Sequence, residues 1–312
     1  MGSSGRNSLP LRVLEKLVFL LYMNETQEWT TIIKPKDKLL SVDFKELWHY
    51  RDLLTLFVKR NIITQYKQTI LGPAWFVIQP LMTVFMYMVV FGGIAGIGTD
   101  GIPQPLFYLS GTCMWHYFSD CLNKTSTTFV SNSGLFGKVY FPRLVTPLSD
   151  VISNLLRFGI QMCLFIVVYI IYAFMGGCPA SPNWYLLLFP LLVVMMAGLA
   201  LGFGLFISSM TTKYRDLSIL FSFMVSLWMY ATPIVYPLSM VKGKVAAGMD
   251  LYTIMCLNPV TPVLETFKYG ALGAGEFIGW GWLLYSFVFL VVLLFLGILV
   301  FNRTQKSFMD TV

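Results

Sequence analysis

Long apolar stretches make up most of the chain, and polar residues are concentrated between them. Six stretches exceed the ~20 residues that an α-helix needs to cross a bilayer. They cover residues 71–97, 106–130, 151–175, 184–210, 217–239 and 280–301. Their apolar residues run continuously instead of alternating, and unpaired backbone groups are costly in lipid, so the pattern favours helices over a β-barrel. It predicts an all-α polytopic membrane protein with six transmembrane helices.

A different periodicity occupies residues 43–70, ahead of the first stretch. Apolar residues recur there every three or four positions, and basic residues fill the other faces. Asp43 and Glu46 have the spacing of a capping box at a helix start. Because a basic amphipathic helix binds the membrane interface, we expect an N-terminal interfacial helix. Gly72 and Pro73 then allow a sharp turn into the bilayer. A soluble N-terminal domain is the alternative, but the roughly 40 residues ahead of this helix are too few for a sizeable core.

The segment 240–279 is long but contains only short apolar pieces, at 251–257 and 263–267. These pieces cannot span the bilayer. We therefore expect re-entrant external gate helices before the last span, because irregular backbone is tolerated at membrane depth only where protein or water surrounds it. Pro233 and Pro237 break the outer end of the fifth stretch. An irregular outer loop is the alternative interpretation.

These patterns divide the chain into four parts. A cytoplasmic N-terminal extension at 1–42 precedes the interfacial helix of 43–70. The six-helix transmembrane domain covers 71–301 and contains the external gate segment. A cytoplasmic tail covers 302–312. A short basic and aromatic helix is expected at about 134–145, between the second and third spans.

Basic residues indicate the orientation of the chain. Eleven of the 22 lysines and arginines precede the first apolar stretch, whereas the loops 97–105 and 176–183 contain none. Because cytoplasmic segments are enriched in Lys and Arg, both termini are predicted to be cytoplasmic. The net charge of +7 is then explained by membrane orientation rather than by nucleic-acid binding. Lys242, Lys244 and Lys268 are exceptions, since they fall in the external segment.

The motif content argues against an enzyme. The two histidines, His49 and His116, are too few for a metal site, and the five cysteines form no CxxC pair. The chain contains no GxSxG, no HExxH and no GxxxxGK[ST] phosphate-binding loop. We therefore predict no catalytic residue, no metal and no cofactor in this chain. If ATP powers transport, ATP and Mg²⁺ are bound by a separate partner polypeptide.

Ionisable residues in or near the apolar stretches are candidates for function, because charges inside a membrane are costly. They are Asp120, Lys124, Asp150 and Arg157. Asp150 and Arg157 are seven residues apart and share one helical face. A structural role beside lipid headgroups is the alternative. The first, fourth, fifth and sixth stretches contain no carboxylate, which argues against ion-driven transport.

Aromatic residues form 16% of the chain and crowd the second and fifth stretches. Aromatic rings can stack on sugar faces, so six of them are predicted to line a channel. Packing against lipid or in an interfacial belt is the alternative. The six residues are Tyr108, Trp115, Tyr117, Phe118, Trp228 and Tyr230.

Several of these features, taken together, resemble one family. After the interfacial helix, residues 66–75 (YKQTILGPAW) are similar to the entrance motif of ABC-2 type exporter permeases. The other landmarks follow in the same order: KVYFPR at 138–143, KYRD at 213–216, ATPIVYP at 231–237 and Asn258-Pro259. The similarity covers about residues 44–301. Within the family, the chain is most similar to the polysaccharide and O-antigen export branch (Wzm-like permeases).

The resemblance implies a homodimer of permeases with two copies of an ABC ATPase subunit, in the bacterial inner membrane. ATP hydrolysis in such a complex drives a glycan, carried on undecaprenyl diphosphate, from the cytoplasm to the periplasmic side. An ABC-2 permease for a small amphipathic drug or lipid is the alternative. A membrane enzyme that uses a lipid-linked donor is a third reading, but no convincing set of titratable residues supports it.

The resemblance also implies roles for individual residues. Leu71 and Gly72 correspond to the entrance loop for the lipid-linked substrate. Arg60 and Lys67 are added to that site from their position, where they can bind a diphosphate or simply anionic lipids. The residues expected to touch the ATPase are Lys138, Val139, Tyr140, Phe141, Pro142 and Arg143. Those expected at the external gate are Pro233, Tyr236, Pro237, Asn258 and Pro259.

Overall fold

The computed structural model describes residues 44–67, 69–175, 181–214, 216–246, 248–273 and 277–311. The predicted extension at 1–42 and the capping residue Asp43 lie outside these ranges. The α-helices of the described residues are α1 (Phe44–His49), α2 (Arg51–Tyr66), α3 (Trp75–Tyr87), α4 (Gln104–Ser126), α5 (Thr128–Ser131), α6 (Ser133–Phe136), α7 (Val145–Phe174), α8 (Phe189–Lys213), α9 (Leu217–Trp228), α10 (Leu251–Leu257), α11 (Val260–Leu272) and α12 (Trp280–Thr311).

Shorter elements extend or join these helices. Gly72–Ala74 and Trp184–Leu188 are 3₁₀ turns that lead into α3 and α8, and Met88–Ile94 continues α3 as a π-helix. A further 3₁₀ turn covers Leu238–Val241. Strands β1 (Val245–Ala246) and β2 (Met249–Asp250) pair antiparallel in a small hairpin.

Four helical segments are long and apolar enough to cross a bilayer: Gly72–Ile94, Val145–Phe174, Trp184–Lys213 and Trp280–Lys306. They coincide with four of the six predicted stretches, and they confirm a mostly helical, multi-pass membrane protein. The two other stretches differ for a physical reason. Helix α4 has 23 residues, but its second half carries many polar side chains. Helix α9 has only 12 residues and ends at Trp228.

The predicted interfacial helix consists of two helices with a break at Tyr50. Helix α2 packs against α7, and Phe57 is its one fully buried side chain among the described positions. Most of its other side chains are exposed or half-buried. Helix α2 ends at Tyr66, and Gly72 then adopts a φ of +51°, which glycine tolerates much better than other residues. The turn predicted at this point is therefore present.

Helix α4 lies at the centre of the fold and packs against α7 and α8, while α8 packs along α12. Between Leu106 and Trp115 every residue of α4 is buried. Glycines allow α8 and α12 to approach closely. A Cβ atom on Gly297 would lie 2.8 Å from the carbonyl oxygen of Gly202, so both positions require the absence of a side chain at the contact.

The external segment is ordered around two short helices. The prediction placed half-helices at 251–257 and 263–267; the structure has α10 over the first range and a longer α11, Val260–Leu272, over the second. Most of the side chains of α11 are buried, and it contacts α4, α8 and α12. The irregular segment between Trp228 and Leu238 connects α9 to this group.

Candidate functional site

The second half of α4 presents a polar face. His116, Ser119, Asp120 and Asn123 recur at three- and four-residue spacing, so they share one side of the helix, and all of them are partly exposed. The neighbouring residues Tyr117, Phe118, Cys121 and Leu122 are fully buried. A helix that faces lipid would expose its apolar residues instead, because exposure of polar groups to hydrocarbon costs free energy. The face is therefore suited to water, to a polar ligand or to another protein.

Arg157 of α7 connects this face to α3. Its Nη1 atom lies 2.7 Å from Oδ2 of Asp120, and its Nη2 atom donates to Oε1 of Gln79 over 2.8 Å. The guanidinium also lies over the ring of Phe76, 5.8 Å from its centroid. The Arg157 side chain is 20% exposed and that of Asp120 is 28% exposed. One arginine thus holds three helices together at a position that solvent can reach.

A second polar contact between α4 and α7 lies one helical turn from the first, toward the end of α4 and the start of α7. Lys124 Nζ donates to Oδ1 of Asn154 over 2.8 Å. At the start of α7, Asp150 Oδ1 accepts a hydrogen bond of 2.8 Å from Nδ2 of Asn61 in α2. The polar seam therefore runs from the interfacial helix to the α3–α4–α7 junction. Two basic and two acidic side chains, Lys124, Arg157, Asp120 and Asp150, balance the charge along it.

Buried polar atoms without a hydrogen-bond partner accompany the seam. They include Nδ1 of His116, Oδ1 of Asn123 and Nε of Arg157. Buried polar groups in proteins are nearly always satisfied by protein or water. Among the described residues no protein group satisfies these atoms, and a bound water or a polar ligand atom would do so.

The predicted channel aromatics do not share this face. Tyr108, Trp115, Tyr117 and Phe118 are each at most 3% exposed, so in this conformation the chain's own side chains cover them. The reason is that α4 directs its aromatic side inward, where Phe118 and Trp115 contact Trp228 at 5.3 and 6.2 Å between centroids. These rings pack the core. Of the six, only Tyr230 is exposed, and Trp228 is half-buried.

The predicted entrance residues lie on the surface. Arg60 and Lys67 are exposed, and Leu71 is 46% exposed. The Arg60 guanidinium lies 4.7 Å from the ring centroid of Phe57, which anchors α2. Gly72 has open space around its Cα atom, so only its positive φ restricts the residue at this position.

The segment predicted to touch an ATPase has an exposed first half and a more buried second half. Lys138, Val139 and Tyr140 are exposed, and the two apolar members are each more than half exposed. Phe141 is 5% exposed and contacts the rings of Phe57 and Phe136 at 5.6 and 5.7 Å. The helix predicted over 134–145 is helical only as far as Phe136, and residues 137–144 are irregular.

Two further residues of that segment also face inward. Pro142 is half-buried. Arg143 donates from Nη1 to the backbone oxygen of Gln305 in α12 over 2.8 Å. Partial burial lowers the pKa of Arg143 from its usual value, although a guanidinium remains charged at neutral pH. Within KVYFPR, therefore, only the first three residues are exposed enough to contact a partner.

The residues predicted at the external gate lie together. Asn258 donates from Nδ2 to Oγ1 of Thr232 over 2.9 Å and accepts a bond from the backbone nitrogen of Val260, which fixes the start of α11. The Tyr236 hydroxyl lies 3.0 Å from the backbone oxygen of Tyr230. Pro233, Pro237 and Pro259 are buried around these contacts.

Sequence reasoning missed Lys268 as part of this group. Lys268 is only 4% exposed, and its ammonium donates to the backbone oxygen of Pro233. It also lies 3.2 Å from Oε1 of Glu265 and 4.2 Å from the ring centroid of Phe107. Burial lowers the pKa of Lys268 and raises that of Glu265. The predicted external position of Lys268 is compatible with this pairing, since a buried and paired lysine does not act as a free surface charge.

Comparison with known proteins assigns the family. Residues 52–272 match the model of the ABC-2 type transporter family. The O-antigen export system permease protein RfbA of Myxococcus xanthus is 28% identical over 225 residues, which cover 72% of this chain and 82% of that protein. A Klebsiella pneumoniae protein of the same name is 27% identical over 264 residues, which cover 83% of this chain and 94% of that protein.

A relative with a different name matches over a similar length. The polysialic acid transport protein KpsM of Escherichia coli is 23% identical over 256 residues, covering 81% of this chain and 93% of that protein. The family match spans more than half of the chain, and the resemblance in its motifs is confirmed. The chain belongs to the ABC-2 type transporter family.

Proposed function

We propose that this chain is the transmembrane permease subunit of an ATP-driven exporter. Its cargo is a polysaccharide such as O antigen, linked to undecaprenyl diphosphate and moved from the cytoplasm to the periplasmic side. The names of the O-antigen and polysialic acid relatives support the substrate class. The observation that carries the proposal is the partly exposed polar face of α4, in a domain whose other long helices expose apolar side chains.

A polar face favours a polar cargo over the alternative, a small amphipathic drug or lipid. Sugars present many hydroxyl groups that both donate and accept hydrogen bonds, and Ser119, Asp120 and Asn123 offer groups of both kinds. The apolar part of an amphipathic drug or lipid gains nothing from such a surface, whereas a glycan needs one along its whole length to replace its hydration while it crosses hydrocarbon.

The same face supports the assembly. In a single chain it is open, so we infer that a second copy closes it and that the homodimer encloses the path. Helix α4 and the 217–239 segment then serve as the second and fifth of six spans, because protein and water surround them instead of lipid. With six spans, both termini face the cytoplasm of the bacterial inner membrane.

The partner that supplies energy is an ABC ATPase, in two copies, which binds ATP and Mg²⁺. We assign its docking to the exposed residues Lys138, Val139 and Tyr140. Arg60, Lys67, Leu71 and Gly72 form the substrate entrance at the cytoplasmic interface. Tyr230 and Trp228 remain candidates for ring contacts with sugar. Pro233, Tyr236, Pro237, Asn258 and Pro259 form the external gate with α10 and α11.

Depletion of this protein in its native cell tests the proposal. We expect surface polysaccharide to be lost while lipid-linked polymer accumulates on the cytoplasmic side. Complementation with the wild-type chain should restore both, which controls for polar effects on neighbouring genes. Normal surface glycan together with altered sensitivity to amphipathic drugs would favour the small-molecule exporter.

Thiol labelling tests the polar face directly. Each position is tested in a variant that contains no other cysteine. In such variants, Ser119→Cys and Asn123→Cys should react with a hydrophilic, membrane-impermeant thiol reagent. The native Cys163 is a matched control, because it is exposed on α7 beside the exposed apolar residues Ile166 and Val167. It should resist the hydrophilic reagent. Equal resistance at all three positions would contradict an aqueous path along α4.

A further inference from the structure

We propose that Arg157 is the phosphate-binding residue of the substrate path, and that Asp120 occupies its guanidinium until a phosphate-bearing headgroup takes that place. The proposal rests on the proposed function, because it concerns the diphosphate of a lipid-linked cargo. It adds a binding residue within the membrane domain to the entrance residues on the surface.

The geometry of Arg157 suits this role. Its two Nη atoms each have one oxygen partner, Asp120 Oδ2 at 2.7 Å and Gln79 Oε1 at 2.8 Å, and Phe76 supports the planar group. A guanidinium presents its donors in a fixed fork that matches phosphate oxygens as well as carboxylate oxygens. Asp120 and Gln79 together therefore hold the two Nη donors of the fork, and a phosphate that replaces Asp120 meets a guanidinium already fixed by Gln79.

The site can be reached from the entrance. Gln79 lies seven residues beyond Gly72, which is about 10 Å along α3 at 1.5 Å per residue. The adjoining side of α3 exposes apolar residues, among them Leu81, Met82 and Phe85. A polyprenyl tail can thus remain in lipid against α3 while its headgroup moves inward past the Gly72 turn to Arg157.

The exchange also leaves Asp120 with a partner. Lys124 lies four residues later on α4, so its ammonium is a neighbour of Asp120 on the same side of the helix. In this conformation the Lys124 ammonium donates to Oδ1 of Asn154 over 2.8 Å. When a phosphate binds Arg157, the released carboxylate can turn toward Lys124, and no charge is left isolated.

Variants of Arg157 and Asp120 distinguish a phosphate-binding role from a structural ion pair, because the phosphate-binding role predicts opposite changes in ligand affinity for the two. The measurement is binding of a glycan-free polyprenyl diphosphate to the purified protein in nanodiscs. Arg157→Gln should weaken binding by at least about tenfold, as expected for loss of charge-assisted hydrogen bonds, and Arg157→Lys should recover part of it. Asp120→Asn should tighten binding several-fold, because the competing carboxylate charge is gone. A structural pair predicts instead that both neutral variants lower thermal stability and binding together.

Controls keep each outcome interpretable. The exposed pair of Arg51 and Asp52, 3.9 Å apart, provides a matched control, and Arg51→Gln with Asp52→Asn should leave binding unchanged. Inorganic pyrophosphate, tested in parallel, shows whether the headgroup alone suffices or the lipid tail contributes. If Arg157→Gln fails to fold, Asp120→Asn still decides the matter, and unchanged or weaker binding by that variant overturns the proposal.

The result can be distinguished from failure of the proposed function. If depletion abolishes surface polysaccharide but Asp120→Asn does not tighten binding, the chain is an exporter and Arg157 is structural. If depletion leaves surface polysaccharide intact and the wild-type protein binds no polyprenyl diphosphate, both the function and this inference are wrong.

Discussion

The side-chain amide of Asn61 donates a hydrogen bond of 2.8 Å to Oδ1 of Asp150, and this bond fastens α2 to the start of α7. One turn earlier on α2, Phe57 packs edge-on against Phe141, at 5.6 Å between centroids. The interfacial helix, the third predicted span and the cytoplasmic connection are therefore joined at one place. A movement of residues 137–144 would be transmitted to α2 through these contacts.

Asn61→Leu should loosen this junction. The change leaves the half-buried carboxylate of Asp150 without its amide partner, and we expect a loss of about 1–3 kcal/mol in unfolding free energy. It should appear as a lower melting temperature in detergent and as faster proteolysis of α2. Thr55→Ala is the control, since the exposed Thr55 hydroxyl bonds only within its own helix, to the Arg51 oxygen. Equal melting temperatures for the two variants would show that the bond does not stabilise the junction.

Tyr140→Ala and Phe141→Ala should fail in different ways, although the two residues are adjacent. Tyr140 is 53% exposed, so its loss should leave the fold intact and uncouple ATP hydrolysis from glycan export. We expect normal melting with co-purified ATPase reduced, or with hydrolysis that no longer depends on substrate.

Phe141 is buried between Phe57 and Phe136, so truncation to alanine creates a cavity. The expected cost is about 3–5 kcal/mol. Phe141→Ala should therefore lower the melting temperature and the yield of folded protein before any effect on coupling is measured. A stable Phe141→Ala variant with specific loss of ATPase binding would mean that Phe141 turns outward in the complex.

The helices that sequence alone identifies best are those whose environment is uniform. Gly72–Ile94 contains no charged residue and Trp184–Lys213 contains only the lysine at its end, so composition and length suffice to predict them. Helix α4 is different, because its outer side is polar and its inner side aromatic. The segregation of His116, Ser119, Asp120 and Asn123 is present in the sequence as helical spacing. The apolar character of the whole 106–130 stretch outweighs this spacing, so the sequence alone predicts that the aromatic residues line the channel.

Other contacts could not be found from local pattern. Glu265, one partner of Lys268, lies only three residues earlier, but the other two, Phe107 and the backbone oxygen of Pro233, are distant in sequence. A carbonyl group has no sequence signature, and a cation over a ring depends on tertiary packing. Similarly, the division between exposed Tyr140 and buried Phe141 depends on where Phe57 of α2 docks.

Gly72→Ala should weaken the turn between α2 and α3. No atom lies within 4 Å of the position a Cβ would take, so the strain comes from the φ of +51° alone, and a cost of about 1–2 kcal/mol is expected. Export should also fall if the proposed function is correct, because Gly72 belongs to the proposed substrate entrance. Gly159→Ala is the matched control, since this glycine of α7 also has open space but no positive φ. It should be neutral or slightly stabilising. The prediction fails if both alanine variants behave alike in melting and export.

Lys268→Met should destabilise the external gate most strongly at neutral pH. Removal of the ammonium leaves the Glu265 carboxylate buried and unpaired, with Asp100, Tyr236 and Cys256 as its other titratable neighbours. Breaking a buried ion pair in this way costs about 3–5 kcal/mol. A second change, Glu265→Gln, should recover much of the loss, because it removes the isolated charge.

The pH dependence of Lys268→Met has a definite sign. Burial raises the pKa of Glu265, so its protonated form is favoured in the folded state. The stability linked to such a group is fully present below its unfolded pKa and is lost as pH rises through the folded value. The melting temperature of Lys268→Met, relative to wild type, should therefore improve as pH falls from 7 toward about 4, the usual range of a glutamate pKa. The double variant, which has no carboxylate at 265, should lack this improvement. A pH-independent deficit in Lys268→Met would show that the loss arises from packing of the lysine stem and from the bond to Pro233, and not from the charge of Glu265.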